Sequence, residues 1–193
     1  MNYWVASDYH LGSFNSIGYF NRPFRSLEHM NNTIIKNHNA RVKPSDTVYH
    51  VGDFCMRNSS DKTGKGMRTT SEEWESKLNG KIIHIIGNHD QNNGVKSNII
   101  NLSILTHDRS FFLVHDPKYI NYTYDINLVG HLHNKLTIEK RHYKDIESIS
   151  TYVINVGVDV NNFMPITFDE VLHKIAKFNH KNNYPKLKPW KKE

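Results

Sequence analysis

The most regular feature of the sequence is a short apolar run that ends abruptly in glycine or in polar residues. Runs of this kind recur along the chain, and most of them are rich in β-branched side chains. Continuous apolar runs of this length are typical of strands that are buried on both faces of a sheet. The predicted strands are 3–7, 47–51, 82–86, 111–114, 127–129 and 152–156.

Helical spacing of apolar residues is found in three further segments, and each follows a residue that can cap a helix. Ser26 precedes the first segment, while Thr70 with Glu73 and Thr167 with Glu170 fit the capping-box pattern for the other two. Residues 57–70 contain no such pattern and are predicted to form a loop. Strands alternating with helices predict an α/β fold, in which ligands bind along the carboxyl edge of the sheet.

Length and composition favour a single globular domain. The chain has 193 residues, of which 37% are hydrophobic and 23% are charged, which excludes a coiled coil, a collagen and a disordered chain. It contains no apolar run long enough to span a membrane and no signal-peptide pattern at its start. With a single cysteine, Cys55, an internal disulfide is excluded. We therefore expect a soluble, cytoplasmic protein without membrane contact.

The net charge of +6 suggests a phosphate-bearing partner, but the charge is unevenly distributed. Residues 179–193 contain five lysines against one glutamate, so the rest of the chain is close to neutral. We predict a catalytic domain over 1–178 and a basic tail over 179–193. A solvated end is the favoured interpretation of this tail, and recruitment of a polyanion is the alternative.

Residues that bind transition metals follow five of the predicted strands. Buried His and Asp side chains are costly unless they are paired or bound to a metal, so five such strand ends are difficult to explain by packing. Nitrogen and oxygen donors suit Mn²⁺, Fe, Zn²⁺, Co²⁺ or Ni²⁺, whereas a thiolate site would need more cysteines. In chain order the motifs are Asp-x-His, Gly-Asp, Gly-Asn-His-Asp, a single His and Gly-His-x-His.

In this order the motifs resemble those of the calcineurin-like metallophosphoesterase superfamily, and the resemblance runs from Asp8 to His133. It implies a two-sheet β-sandwich flanked by helices, in four layers of the order αββα. The Asn-Arg-Pro-Phe segment and residues 155–161 are also similar to small prokaryotic and phage-type members. The resemblance implies that Asp53 bridges two metals and that His89 is catalytic. The other implied ligands are Asp8, His10 and His133 for one metal, and Asn88, His115 and His131 for the second.

The function implied is hydrolysis of a phosphomonoester or phosphodiester by a hydroxide that bridges the two metals, with Mn²⁺ as the first choice. Nucleotides or nucleic acids are the preferred substrate class, and the oligomeric state stays open. One alternative is a non-catalytic protein-interaction module on the same metal-binding fold. Another is a nucleic-acid-binding protein with structural metals.

A loop between the first motif and the first helix mixes aromatic residues with Arg22 and Arg25. Arginine can fork onto a phosphate and aromatic rings can stack on a base, so both arginines are predicted to contact substrate. The alternative is that the aromatic residues pack the loop onto the domain. Asn155, near the end of the last predicted strand, and Asp159, just beyond it, either support the metal ligands or simply end the strand.

Overall fold

Two mixed β-sheets pack face to face in the computed structural model, which describes residues 1–56, 68–144 and 146–185. The strands of the first sheet are β1 (Tyr3–Ala6), β2 (Thr47–Val51), β3 (Lys81–Ile85) and β9 (Ile166–Thr167). Those of the second sheet are β4 (Asn101–Thr106), β5 (Arg109–Val114), β6 (Ile126–Val129), β7 (Ile138–Tyr143) and β8 (Ile146–Asn155). The described helices are α1 (Asn15–Tyr19), α2 (Leu27–Arg41), α3 (Ser71–Glu75) and α4 (Phe168–Lys181).

Strand direction brings the predicted motifs to one edge of the sandwich. In the first sheet, of order β3-β2-β1-β9, strands β1, β2 and β3 are parallel. In the second, of order β4-β5-β6-β8-β7, the parallel strands are β5, β6 and β8. A parallel bridge between Ser7 and Gly157 joins the two sheets just beyond β1 and β8. The carboxyl ends of all six parallel strands therefore meet.

The core lies between the sheets and is built from the apolar runs. Val5, Val51 and Ile85 of the first sheet pack against Phe111 and Leu128 of the second, and all five are fully buried. Burial of such side chains is worth about 1.5 to 3 kcal/mol each. On the outer face of the first sheet, a second buried cluster contains residues of α2 and α3, including Met30, Ile34 and Trp74. The predicted two-sheet α/β sandwich flanked by helices is thus confirmed.

Both predicted capping boxes are present, at Thr70 with Glu73 and at Thr167 with Glu170. Helix α4 continues to Lys181, past residue 178 where we predicted the tail to begin, and Asn179 is buried against the hydroxyl of Tyr152. Residues 186–193 and most of the predicted loop 57–70 lie outside the described residues. In the described ranges, no helix is long and apolar enough to cross a membrane.

Strands β4 and β7, the two edges of the second sheet, were missed from the sequence because part of each strand faces water. Along β4 the side chains alternate between exposed and half-buried, so its apolar residues never form a continuous run. Uninterrupted apolar runs indicate strands that are covered on both faces, whereas a strand with one face in water has polar residues between its apolar ones.

Candidate metal centre

All seven predicted metal ligands lie together at the carboxyl edge. Asp8 and His10 follow β1, Asp53 follows β2, and Asn88 follows β3. The second sheet supplies the remaining three imidazoles, because His115 follows β5 while His131 and His133 follow β6. Five separate strand-to-loop junctions thus build this site, together with the support from β8 described below.

One ligand group lies deep in the molecule. Asp8, His10 and His133 are buried, and each offers one donor atom within 4.8 Å of the others. The Nε2 atom of His133 is 3.7 Å from Asp8 Oδ1, and that of His10 is 3.9 Å from the same oxygen. His10 Nε2 is buried without a hydrogen-bond partner. An imidazole nitrogen left in this state fits a metal that completes its coordination.

The other ligand group is nearer to the surface and joins the first through Asp53. His115 Nε2 is 3.4 Å from Asp53 Oδ2 and 3.1 Å from Asn88 Oδ1, and His131 Nδ1 is 3.0 Å from the same Asn88 oxygen. Asp53 Oδ2 also lies 3.6 Å from His10 Nε2. Asp53 is therefore placed between the two groups, where a bridging ligand would have to be. The donor atoms are nitrogen and oxygen only, which suits divalent transition metals.

The ligand loops have an unusual backbone. Asp8, His10, Asp53, His131 and His133 all have positive φ angles, between 47° and 68°. Left-handed conformations are uncommon outside glycine and cost of order 1 kcal/mol or more per residue, although Asp, Asn and His tolerate them best. Concentrating five of them at one site means that the surrounding contacts hold the loops in place.

Asp90 supplies several of those contacts. Its carboxylate is fully buried and accepts hydrogen bonds from the backbone N–H groups of Asp53, Phe54 and Gly87, at 2.7 to 2.8 Å. The loop after β2 is in this way fixed to the loop after β3. The sequence contains Asp90 within the Gly-Asn-His-Asp motif, but we assigned it no role, because its partners lie up to 37 residues away.

Hydrogen bonds behind two histidines set which ring nitrogen faces the site. His115 Nδ1 donates to the carbonyl of Val51 at 2.8 Å, and His133 Nδ1 donates to Asp159 Oδ2 at 2.8 Å. In both rings the Nε2 atom is left to point at the carboxylates, as metal-binding histidines require. Asn155 is fully buried and donates to the carbonyl of His133 at 2.6 Å. Asp159 and Asn155 therefore hold His133 in position. This is the first of the two roles considered for them, support of a predicted metal ligand, and not a plain strand end.

The charge balance of the site indicates a place for cations. Burial raises the pKa of Asp8, which shows that its negative charge is incompletely compensated. Burial also opposes ionisation of Asp53, but the hydrogen bond and charge of His115 outweigh it and hold the pKa of Asp53 well below its usual range. Burial lowers the pKa of His115, whereas the two carboxylates raise it by more, to about 9. The carboxylates thus attract positive charge, and the donor set fits divalent metals.

Arg22 occupies a different place from the one predicted. Its side chain is completely buried, with Nε and Nη2 donating to the two carboxylate oxygens of Asp159 at 2.8 and 2.9 Å. The guanidinium also donates to the backbone carbonyls of Tyr9 and Asp8, at 3.0 and 2.7 Å. These contacts leave no part of Arg22 facing solvent, so the prediction that it contacts substrate is wrong for this geometry. Arg25 is exposed, and its contact with substrate stays a prediction.

The aromatic residues of the same loop divide between packing and exposure. The ring of Phe20 stacks on His133 with centroids 3.2 Å apart, and Phe24 packs edge-on against Phe163. Tyr19 is 79% exposed. Tyr9 points away from the ligands, and its hydroxyl is 2.8 Å from His38 Nδ1. Cys55 is buried beside Asp53, and burial raises the pKa of its thiol to about 12, so it is no nucleophile.

The comparisons with known proteins agree with this description. No family model matches the sequence. The uncharacterized protein MJ1445 of Methanocaldococcus jannaschii is 32% identical over 178 residues, which cover 90% of this chain and 91% of that protein. The protein of unknown function AQ665 from Aquifex aeolicus has the same fold, with a TM-score of 0.62, 23% identity and coverage of 90% and 98%. YfcE, a phosphoesterase from E. coli, aligns with a TM-score of 0.45 and 17% identity over 87% and 82% of the chains.

At 32% identity over most of both chains, the chain belongs to the same family as the archaeal protein MJ1445. The clustering of the donor atoms is what the resemblance of its motifs to those of the calcineurin-like metallophosphoesterase superfamily led us to expect.

Gly87 lies where the loop after β3 passes closest to Asp53. A Cβ atom at this position would lie 2.6 Å from the backbone nitrogen of Asp53 and 3.0 Å from the Cα atom of Gly52. Because backbone atoms cannot rotate away, Gly87→Ala should displace Asp53 and weaken Mn²⁺ binding by at least about tenfold, measured by calorimetry. Gly18→Ala is the control, since its Cβ would meet nothing within 4 Å. Equal affinities for both variants would contradict this account.

The buried position of Arg22 gives a second prediction. Replacing it by methionine leaves the Asp159 carboxylate buried without its cation, a change that typically costs about 3 to 5 kcal/mol of folding free energy. Arg25→Met, at an exposed position in the same loop, should change the free energy of unfolding by about 0.5 kcal/mol or less. Urea denaturation of the two variants measures the difference. If Arg22→Met unfolded like Arg25→Met, the ion pair would not be part of the folded core.

Proposed function

We propose that the protein is a metal-dependent phosphoesterase with two divalent ions, hydrolysing phosphomonoester or phosphodiester bonds. The observation that carries this proposal is the position of Asp53 between the two ligand groups, with its Oδ2 atom 3.6 Å from His10 Nε2 and 3.4 Å from His115 Nε2. A carboxylate between two donor sets is what a dinuclear centre needs. Bound ions would supply Lewis-acid activation of water and would neutralise charge on the phosphoryl group. Mn²⁺ is our first choice, and Fe, Zn²⁺, Co²⁺ and Ni²⁺ suit the same donors.

We propose that His89 contacts the reacting ester. Its side chain is 46% exposed at the mouth of the site, and its Nε2 atom is 4.0 Å from Asp53 Oδ2. The backbone N–H of His89 donates to Asp53 Oδ1 at 3.0 Å, and Asn93 donates to its carbonyl at 2.7 Å. The main chain is thus fixed while the ring stays accessible. We propose that Nε2 donates a proton to the departing oxygen, which an alkoxide leaving group requires.

Asp53 is the residue on which both ligand groups depend. In the Mn²⁺-loaded protein we expect two ions per chain by elemental analysis, and chelation should abolish hydrolysis of an aryl phosphate or aryl phosphodiester. Asp53→Asn should lower that activity by at least about 100-fold, because a neutral amide bridges two cations poorly. Cys55→Ala, two residues away and outside the ligand groups, is the control. If the protein bound two ions but hydrolysed none of these esters, the result would favour the alternative of a non-catalytic protein-interaction module on the same metal-binding fold.

The role of His89 depends on the leaving group. We expect His89→Asn to retain both ions and to reduce hydrolysis of alkyl or nucleoside esters by about 10² to 10⁴. A nitrophenyl ester should be affected less, because nitrophenolate leaves as a stable anion. Steady-state rates with both ester types measure the split, with His180→Asn on the exposed end of α4 as the control. Equal losses on both esters would mean that His89 orients the phosphate, and loss of an ion would mean that it supports a ligand.

A further inference from the structure

The two sides of the candidate metal centre differ in their access to solvent. On one side, His10 and His133 are buried, the half-buried ring of Phe20 covers His133, and Asn134 donates to the Phe20 carbonyl at 3.2 Å. On the other side, Asn88 and His89 are exposed. A substrate can therefore approach the ligand groups from the side on which Asn88 and His89 are exposed.

A groove of about 590 Å³ begins on this open side, with Asn88 and His115 in its wall. It continues past Ile100 and Tyr119, which are 67% and 66% exposed. Large apolar side chains with this much exposure beside reactive groups favour a binding surface. A larger groove of about 880 Å³ lies along α4, but it contains none of the metal ligands.

The chemistry of the groove wall limits what can bind there. Lys118 is the one lysine or arginine among the described residues of this wall, and its Nζ atom is 2.9 Å from Asp116 Oδ2. The pair is neutral overall, so no lysine or arginine among the described residues of the wall is left without an acidic partner to bind a second phosphate. Gln91 and Asn101 contribute amide groups, which match the mixed donors and acceptors at the edge of a nucleobase. Tyr119 contributes an exposed aromatic ring on which a base can stack, and Lys118 Nζ lies 5.6 Å from the centre of this ring.

We propose that this groove binds the nucleoside part of a mononucleotide whose phosphate lies at the metal centre, with Tyr119 as the residue that selects for a base. The inference rests on the phosphoesterase function proposed above. A volume of about 590 Å³ lies within the usual range for a small-molecule site. The neutral wall disfavours a longer nucleic acid, because binding several phosphates needs several cations.

The test compares two phosphonates that cannot be hydrolysed, the analogues of adenosine monophosphate and of ribose 5-phosphate, bound to the Mn²⁺-loaded protein. Calorimetry should show at least tenfold tighter binding of the adenosine analogue. Tyr119→Ala should weaken that binding by about tenfold and leave the ribose analogue unchanged, whereas Tyr119→Phe should keep the wild-type affinity because its ring can still stack. Tyr19→Ala, an exposed tyrosine on the other side of the site, should change neither affinity.

Equal affinity of the two analogues in the wild-type protein would overturn the proposal, and so would an unchanged affinity in Tyr119→Ala. A loss in Tyr19→Ala instead would place the base on the loop that contains Arg25. Much tighter, salt-sensitive binding of a short oligonucleotide would indicate a binding site for nucleic acid and would also overturn the proposal.

The failure of this proposal can be told apart from the failure of the proposed function. Base-dependent binding without turnover of any ester would refute the phosphoesterase function and leave the groove assignment standing. Turnover without base preference would refute the groove assignment and leave the phosphoesterase function standing.

Discussion

The structure depends most on the close approach of two buried carboxylates, Asp8 and Asp53, where the two sheets meet. Like charges out of water repel each other and lose their hydration, so the site is unstable without positive charge between and around them. Imidazoles meet part of this requirement, which is why the proton on His115 is held so tightly. Divalent ions would meet it more fully, and binding them would therefore stabilise the fold as well as serve the chemistry.

The surrounding residues hold this unfavourable arrangement in place. Asp90 joins the loops of the first sheet through three backbone N–H groups, while Arg22 joins the Asp8 loop to Asp159 and so to His133 of the second sheet. The left-handed backbone at five ligand residues would relax if these contacts were absent. The polar network is thus the physical reason why the motif loops keep their shape at the edge of an apolar sandwich.

Local signals in the sequence predicted what depends on local chemistry. The apolar runs located the six strands that are covered on both faces, and the motifs after them located the seven residues that the fold brings together. Arg22 was misjudged for the opposite reason, since its partner Asp159 lies 137 residues away in the chain. An arginine among aromatic residues looks the same in sequence whether it faces solvent or closes a buried ion pair. The edge strands β4 and β7 were missed because half of their surface is in water.

The two ligand groups also differ in depth, and this difference bears on the proposed chemistry. Asp8, His10 and His133 are buried, with Phe20 stacked on His133 and Asp159 hydrogen-bonded to the same imidazole. Asn88 and His131 face the open side, next to His89 and the groove that continues to Tyr119. Holding an ion requires enclosure, whereas exchanging a substrate requires access. The fold separates the two requirements by burying one group behind the β1 and β6 loops and leaving Asn88 of the other group exposed, with Asp53 joining them.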